Sequence, residues 1–239
     1  MMSTLDSELV CSVLDRIFAA GKDDAQVIRQ LARERPDVGP HKERRTLHDL
    51  PAQELAEVLS GVPIPVPRAA GELLYVLARA CGARRVVEYG TSHGVSTIYL
   101  AAAVRDNGGG QVIGTELQPN KVPIAEANLV EARLDDLVEI RTGDARDTLR
   151  ELPGPVDLLL VDGFASLYLE VLRLVEPFLA PGALVVADGM PEGPKILREY
   201  LDHVRNPANG YLSVSLPIGD GIELSLRTRN FSCTSRDRT

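Results

Sequence analysis

The residues most able to do chemistry are carboxylates that close apolar runs. The stretch Val86-Val87-Glu88-Tyr89-Gly90-Thr91-Ser92-His93-Gly94-Val95-Ser96 reads as a buried strand ending near Glu88, a glycine turn, and a helix that starts near Gly94. Glycines in such a turn let the backbone approach a ligand closely. The place lies outside the carboxyl ends of strands, where open α/β sheets bind ligands. A dinucleotide fingerprint would read GxGxxG and seat a pyrophosphate on the helix N-terminus. This chain has ExGxxxG instead. A carboxylate there repels pyrophosphate but can receive, directly or through water, the ammonium of an amino-acid moiety.

A second acid supports a nucleoside that carries an amino acid, which is the description of S-adenosylmethionine. Glu116 ends the next apolar run in Gly114-Thr115-Glu116-Leu117, and a carboxylate at that place accepts both ribose hydroxyls in nucleoside-binding folds. It can equally be a first-turn helix charge favoured by the macrodipole. Thr142-Gly143-Asp144-Ala145 offers a small residue and an acid to flank an adenine, although Asp144 is also a good helix N-cap. Two further runs end in Asp162-Gly163 and Asp188-Gly189. These acids can share a hard cation such as Mg²⁺, or serve only as caps and turns.

The elements that must position these groups follow from periodicity. Apolar runs at 85–89, 111–116, 137–141, 156–161 and 183–187 alternate with helical patterns near 94–105, 119–132, 145–151, 165–179 and 191–205. Strands this apolar, separated by helices, imply a parallel sheet covered on both faces. The segment Tyr211 to Arg227 reads as two strands joined near Gly219-Asp220-Gly221, so an antiparallel pair closes the sheet. The expected fold is therefore α/β: a Rossmann-like, seven-stranded, mostly parallel sheet with an antiparallel C-terminal strand. Before it lies an N-terminal helical extension, residues 1–65, with helices near 4–19, 23–34 and 51–59 and another at 67–81 opening the main domain, 66–228. Leu5, Leu9, Val13 and Ile17 form a four-residue stripe that packs on the core or on a second copy of the chain. The polar stretch from Arg35 to His48 is a solvated loop or a substrate lid, and 229–239 a frayed tail.

Composition excludes several classes. A net charge of −8 argues against broad phosphate-backbone binding, and the absence of Trp against a base-stacking platform. Cys11, Cys81 and Cys233 are scattered and odd in number, which supports neither a disulfide framework nor a cysteine zinc site. The apolar stretches are too short to span a membrane, and the start lacks the pattern of a signal peptide. The expectation is a cytoplasmic protein that binds neither membrane nor nucleic acid.

The order of these motifs resembles the class I S-adenosylmethionine-dependent methyltransferases, in particular a bacterial form of the catechol and caffeoyl-CoA O-methyltransferase-like family. The resemblance covers residues 62–227, including Ala69-Ala70-Gly71-Glu72-Leu73-Leu74, the Glu88–Ser96 segment, Thr115-Glu116, Gly143-Asp144-Ala145 and Leu216-Pro217-Ile218-Gly219-Asp220-Gly221. It implies that Val66 lies against the methionine part, that Glu88, Gly90, Thr91, Ser92 and Ser96 hold the methionine side, and that Glu116 and Leu117 face the ribose. Gly143, Asp144 and Ala145 would line the adenine, and Asp162 would meet the sulfonium end. It also implies a small-molecule acceptor and a homodimer.

Two departures bear on mechanism. Ala165 stands where the family usually places a lysine, and Gly189 where it usually places an asparagine that completes a metal site with Asp162 and Asp188. Methyl transfer from a sulfonium depends mainly on in-line positioning, but a hydroxyl acceptor must still lose a proton. The expectation is therefore O-methylation without divalent metal, with Asp162 and His93 as candidate catalytic residues. The lid histidines His41 and His48 are further candidates for a base, and His203 is not. N- or C-methylation, or a silent homologue that binds cofactor without turnover, are the alternatives. An NAD oxidoreductase is disfavoured because GxGxxG is absent. Nucleic-acid amino methylation is disfavoured because no [DN]PP[YF] motif follows the fourth strand.

Overall fold

Alternating apolar residues build the central sheet. Val86, Val112, Leu158, Leu160 and Val186 point to one face, and Val87, Ile113, Leu159, Val161 and Val185 to the other, all fully buried. A strand buried on both faces needs helices on both sides. The computed structural model, which describes residues 3–35, 50–190 and 195–228, has that arrangement. The expected lid, with His41 and His48, and the expected tail lie outside the described residues.

The strands are β1 (Arg85–Tyr89), β2 (Gln111–Glu116), β3 (Val138–Thr142), β4 (Val156–Val161), β5 (Leu179–Ala187), β6 (Tyr211–Leu216) and β7 (Ile222–Arg227). They form one seven-stranded sheet in the order β3-β2-β1-β4-β5-β7-β6. Strands β1 to β5 pair in parallel, with Val87 opposite Ile113 on one side and Leu159 on the other. Strand β7 runs antiparallel between β5 and β6. The order therefore reverses between β1 and β4, and a crevice opens at their carboxyl ends.

Helices α4 (Arg68–Ala80) and α5 (Val95–Asp106) cover one face. Ten successive residues of α5, Val95 to Val104, are buried. Its alanines let the sheet, α4 and the N-terminal helix crowd around it. Helix α6 (Val122–Glu131) joins α4 and α5 through Leu129, whereas α8 (Tyr168–Val175), α9 (Arg198–Arg205) and the short α7 (Ala145–Thr148) cover the other face. The helix expected over 165–179 is shorter at its end because Pro177 has no N–H to continue it and the chain passes into a 3₁₀ turn there; another 3₁₀ turn, Ala165–Leu167, precedes α8. A 3₁₀ turn at Asp135–Leu137 delays β3 by one residue. Strand β5 begins four residues earlier than the apolar run suggests, at Leu179, with its first residues near the sheet end.

The N-terminal helices α1 (Glu8–Ala20), α2 (Asp24–Glu34) and α3 (Ala52–Val58) do two different things. Helix α1 buries Val10, Val13, Leu14 and Ile17 in the main core beside Leu74, Ile98 and Tyr99. That is the i, i+3, i+4, i+7 stripe of a core-facing helix. Leu9, expected on the stripe, is 40% exposed. The Asp106 carboxylate pins the segment, accepting from the Thr4 backbone N–H at 3.0 Å and from the Tyr75 hydroxyl at 2.6 Å. Helices α2 and α3 instead form a small apolar cap, in which Leu50, Leu55, Leu59 and Val62 meet Ile28, Leu31 and Phe164. No described helix is long and apolar enough to cross a membrane.

Candidate active site

The β1–α5 turn is built by a chain of local constraints. Gly90 has φ +98°, and a Cβ on it would stand 2.4 Å from the Asp162 carbonyl oxygen. Only glycine lets the ends of β1 and β4 come this close. The Gly90 and Thr91 amides both donate to the Thr115 carbonyl, at 3.2 and 3.1 Å. Ser92 sits at φ +47°, a conformation rare outside glycine. Its N–H is thereby aimed at the Glu116 carboxylate, 2.7 Å away.

Glu116 is 7% exposed. Oε2 accepts from Ser92, and Oε1 accepts from the Gln118 amide at 2.8 Å. Two backbone amides thus fix the carboxylate while each oxygen keeps a lone pair for a ligand. It lines a cavity of about 420 Å³, within the size range of small-molecule and cofactor sites.

Most expected residues surround that cavity. Val66, Gly90, Thr91, Ser92, His93 and Ser96 form one wall. Leu117, Gly143, Asp144 and Ala145 line the side next to Glu116, and Asp162 and Gly189 the end of β4 and β5. Glu88 and Asp188 are not on the wall. Glu88 is fully buried behind the turn, where Oε2 accepts from the Thr91 hydroxyl at 3.0 Å and the Thr97 hydroxyl at 2.5 Å. Oε1 has no partner among the described residues. Burial pushes the carboxyl up to about 7 against the three hydroxyls, Ser96 included, that favour its charge. Glu88 therefore shapes the turn directly, and only its free oxygen is left for a ligand.

Asp144 caps α7 through the Arg146 amide at 2.9 Å. The Arg146 guanidinium also grips both of its oxygens, the shortest contact being 2.7 Å. That grip holds Asp144 below the usual carboxylate range. The N-cap reading and a place on the cavity wall thus hold together.

At the reacting end, burial and then the neighbouring Asp188 and Glu88 charges push the Asp162 carboxyl up. Asp188, 4% exposed, accepts from the Gly189 amide at 2.8 Å and is pushed up to about 6, first by burial. Gly189 and Ala165 bring no polar side chain to this end. Among the described residues no group of three His, Cys, Asp or Glu side chains is arranged to hold a metal. Tyr89 anchors the loop after β4, its hydroxyl accepting from the Phe164 N–H at 3.0 Å. Apolar groups from the body and the cap, among them Leu55, Leu59, Phe164 and Leu197, close this end.

The histidines separate. His93 lines the cavity, its pKa lowered by burial and then by the positive charge of Lys121. His203 pairs with Glu176 at 2.8 Å on α9. The sequence reading missed Lys121, which lines the cavity at 5% exposure. A lysine after Pro119-Asn120 looks like a surface residue of a first helical turn, and no local signal marks it otherwise.

Comparison with known proteins agrees with this geometry. A family model described as a methyltransferase domain matches residues 87–190. A catechol O-methyltransferase of Niastella koreensis is 36% identical over 145 residues, which cover 59% of this chain and 65%, just under two thirds, of that one. A catechol O-methyltransferase of Mycobacterium tuberculosis is 35% identical over 172 residues, covering 70% of this chain and 77% of the relative. Among solved structures, the cofactor-bound protein Rv0187 from MTB superposes with a TM-score of 0.64 at 30% identity, covering 75% of this chain and 89% of that one. The O-methyltransferase TomG of Streptomyces achromogenes, in complex with S-adenosylmethionine, gives a TM-score of 0.63 at 25% identity and covers 88% and 98%.

Proposed function

The chain belongs to the class I S-adenosylmethionine-dependent O-methyltransferases, and on that premise we propose that its cavity transfers a methyl group from S-adenosylmethionine to a hydroxyl of a small-molecule acceptor. The observation that carries the reading is the Glu116 carboxylate, buried at the cavity wall and held by the Ser92 and Gln118 amides. A rigid pair of acceptors is what a ribose diol requires. The unpartnered Glu88 Oε1 behind the glycine turn suits an ammonium reached through water.

When bound, the cofactor supplies an electrophilic methyl on a sulfonium that leaves without help from a protein acid. This chain then has three tasks. Glu116 and the glycine turn fix the nucleoside. The apolar residues Phe164, Leu167 and Leu197, with the cap, exclude water and orient the acceptor. Asp162, the carboxylate of the β4 end that opens on the cavity, takes the acceptor proton. His93, the other candidate base, feels the positive charge of Lys121 and is the second choice.

The residues do not fit a dedicated magnesium site. Two carboxylates stand at the strand ends, but Gly189 contributes no ligand, and octahedral Mg²⁺ would need its shell filled by water. We therefore propose turnover without divalent metal. The acceptor, a homodimeric state and action in the cytoplasm belong to the same proposal. The free Cys11 and Cys81 suit a reducing compartment.

Two measurements test it. Glu116→Ala should weaken S-adenosylhomocysteine by about 1.5–3 kcal/mol in calorimetry, the scale of hydrogen bonds to a charged group; unchanged affinity in a folded variant would sink the ribose assignment. Release of S-adenosylhomocysteine with a panel of phenols should persist after EDTA treatment and gain little from added Mg²⁺. Loss on chelation with restoration by Mg²⁺ would refute the metal-free reading. No release with any acceptor, despite tight binding, would favour a silent binder, the reading that Ala165 and Gly189 otherwise invite.

A further inference from the structure

Lysine is almost never fully buried unless its ammonium is paired. Lys121 is 5% exposed, yet it forms no ion pair among the described residues, and its one hydrogen bond is a long donation of 3.4 Å to the Ser92 hydroxyl. That hydroxyl is itself committed as a donor to the Pro63 carbonyl. An ammonium has three N–H donors, so most of this one's capacity is unspent.

Its position adds a second disadvantage. Lys121 is the N-cap residue of α6, the end of a helix where the macrodipole disfavours a cation. Its backbone is fixed there, the N–H donating to the Gln118 carbonyl at 3.0 Å and the carbonyl accepting from Ala125 at 3.0 Å. The side chain runs from that anchor to the cavity wall. Burial lowers its pKa, and the charges of Glu116 and Asp24 act against that lowering without reaching ion-pair distance. The two carboxylates favour the charge from a distance but take none of its N–H donors, which at the wrong end of a helix have one weak bond. A ligand that offers an oxygen would take them.

The oxygen lies on the Glu116 side of the cavity, because Ser92 and Glu116 line it whereas Asp24, the third group that bonds the ammonium or favours its charge, does not. Glu116 already accepts from any hydroxyl placed there, and hydroxyls accept as well as donate. We infer that Lys121 is a cofactor-binding residue that donates to one ribose hydroxyl of S-adenosylmethionine, opposite the Glu116 carboxylate. The inference rests on the cofactor reading above. It gives the diol a donor to complement its acceptor, and it gives the buried ammonium the partner it lacks.

The test is a cycle between side chain and ligand. S-adenosylhomocysteine and its 2′-deoxy and 3′-deoxy counterparts are titrated by calorimetry into wild type, Lys121→Met and Lys121→Arg. Lys121→Met should bind S-adenosylhomocysteine about ten- to a hundredfold more weakly. Removal of one of the two hydroxyls should then weaken binding several-fold less in Lys121→Met than in wild type. Lys121→Arg, which keeps charge and donors, should recover part of the affinity. Without ligand, Lys121→Met should melt at the same temperature as wild type or higher, since it replaces an underbonded buried charge with an apolar chain of similar length. Equal losses on hydroxyl removal in both proteins, or a lowered melting temperature with unchanged affinity, would overturn the inference and leave Lys121 a structural residue. If wild type itself fails to bind S-adenosylhomocysteine, the cofactor reading falls, and this inference with it.

Discussion

A carboxyl with no exposure and one unbonded oxygen is costly to ionise, and Glu88 is such a group. Burial outweighs its hydroxyl partners and lifts it from 4.5 to about 7. The folded protein therefore holds this proton across a range where the unfolded chain has released it. Stability from this residue is full below about pH 4.5, falls as pH climbs towards 7, and stays reduced above that. Glutamine keeps an oxygen for Thr91 and Thr97 and places a neutral amide at the empty position. Glu88→Gln should thus match wild type near pH 4 and exceed it at pH 8 by up to about 3 kcal/mol, the free-energy equivalent of that lift. Urea melts across pH 4–8 read it directly. A variant weaker than wild type at pH 8 would mean the carboxylate is charged and satisfied in the apo protein. The sequence announced Glu88, Glu116 and Asp162 because each closes an apolar run, where a strand must deliver it to the sheet's carboxyl edge. It could not announce where the Glu88 side chain turns, nor that Lys121 is covered. Both depend on atoms distant in the chain.

Elements were readable wherever a local rule fixed them. Strands β1, β2 and β4 begin and end where their apolar runs do, at 85–89, 111–116 and 156–161, because glycine, proline or an acid bounds each run. Helix limits were less clear, since helical periodicity continues into turns that only Pro177 or a 3₁₀ bond interrupts. The α1 stripe shows the same limit in another form. A four-residue spacing picks out Leu5, Leu9, Val13 and Ile17, but a helix turning 100° per residue drifts off that line over three turns. The face that meets α4 and α5 is Val10, Val13, Leu14 and Ile17. The cap was the least legible element. Its helices bury little by themselves, and only the pairing of Leu55 and Leu59 with Phe164, more than a hundred residues on, shows that it roofs the cavity.

The whole molecule joins a body and a cap, and the N-terminal segment contributes helices to both. Helix α1 shares the main core, whereas α2 and α3 stand over the cavity. This alters the argument for a dimer. Of the two expected partners for the N-terminal stripe, the core or a neighbour, the chain's own core takes Val10, Val13, Leu14 and Ile17, so that stripe gives no argument for a dimer. Apolar surface left uncovered lies at the other end of the sheet. Leu212, Val214 and Leu226 are 61%, 50% and 37% exposed, and the pairing of Leu212 with Leu226 puts them on one face of β6 and β7. Strand β6 is outermost there, with an open edge of the kind that natural proteins cover or charge. Ser213 and Ser215 of β6 bond the buried Glu223 on the opposite face, which leaves the leucine and valine side without polar decoration. A second copy related by a two-fold axis would cover this apolar face and the open edge at once. Light scattering at micromolar concentration should therefore give twice 25.9 kDa. The double variant Leu212→Glu, Val214→Glu should give a monomer with an unchanged far-ultraviolet spectrum. A wild-type mass of one chain would refute the dimer. A variant that stays dimeric would move the contact elsewhere, and the exposed Val76 of α4 and Val130 of α6 would be the next positions to charge.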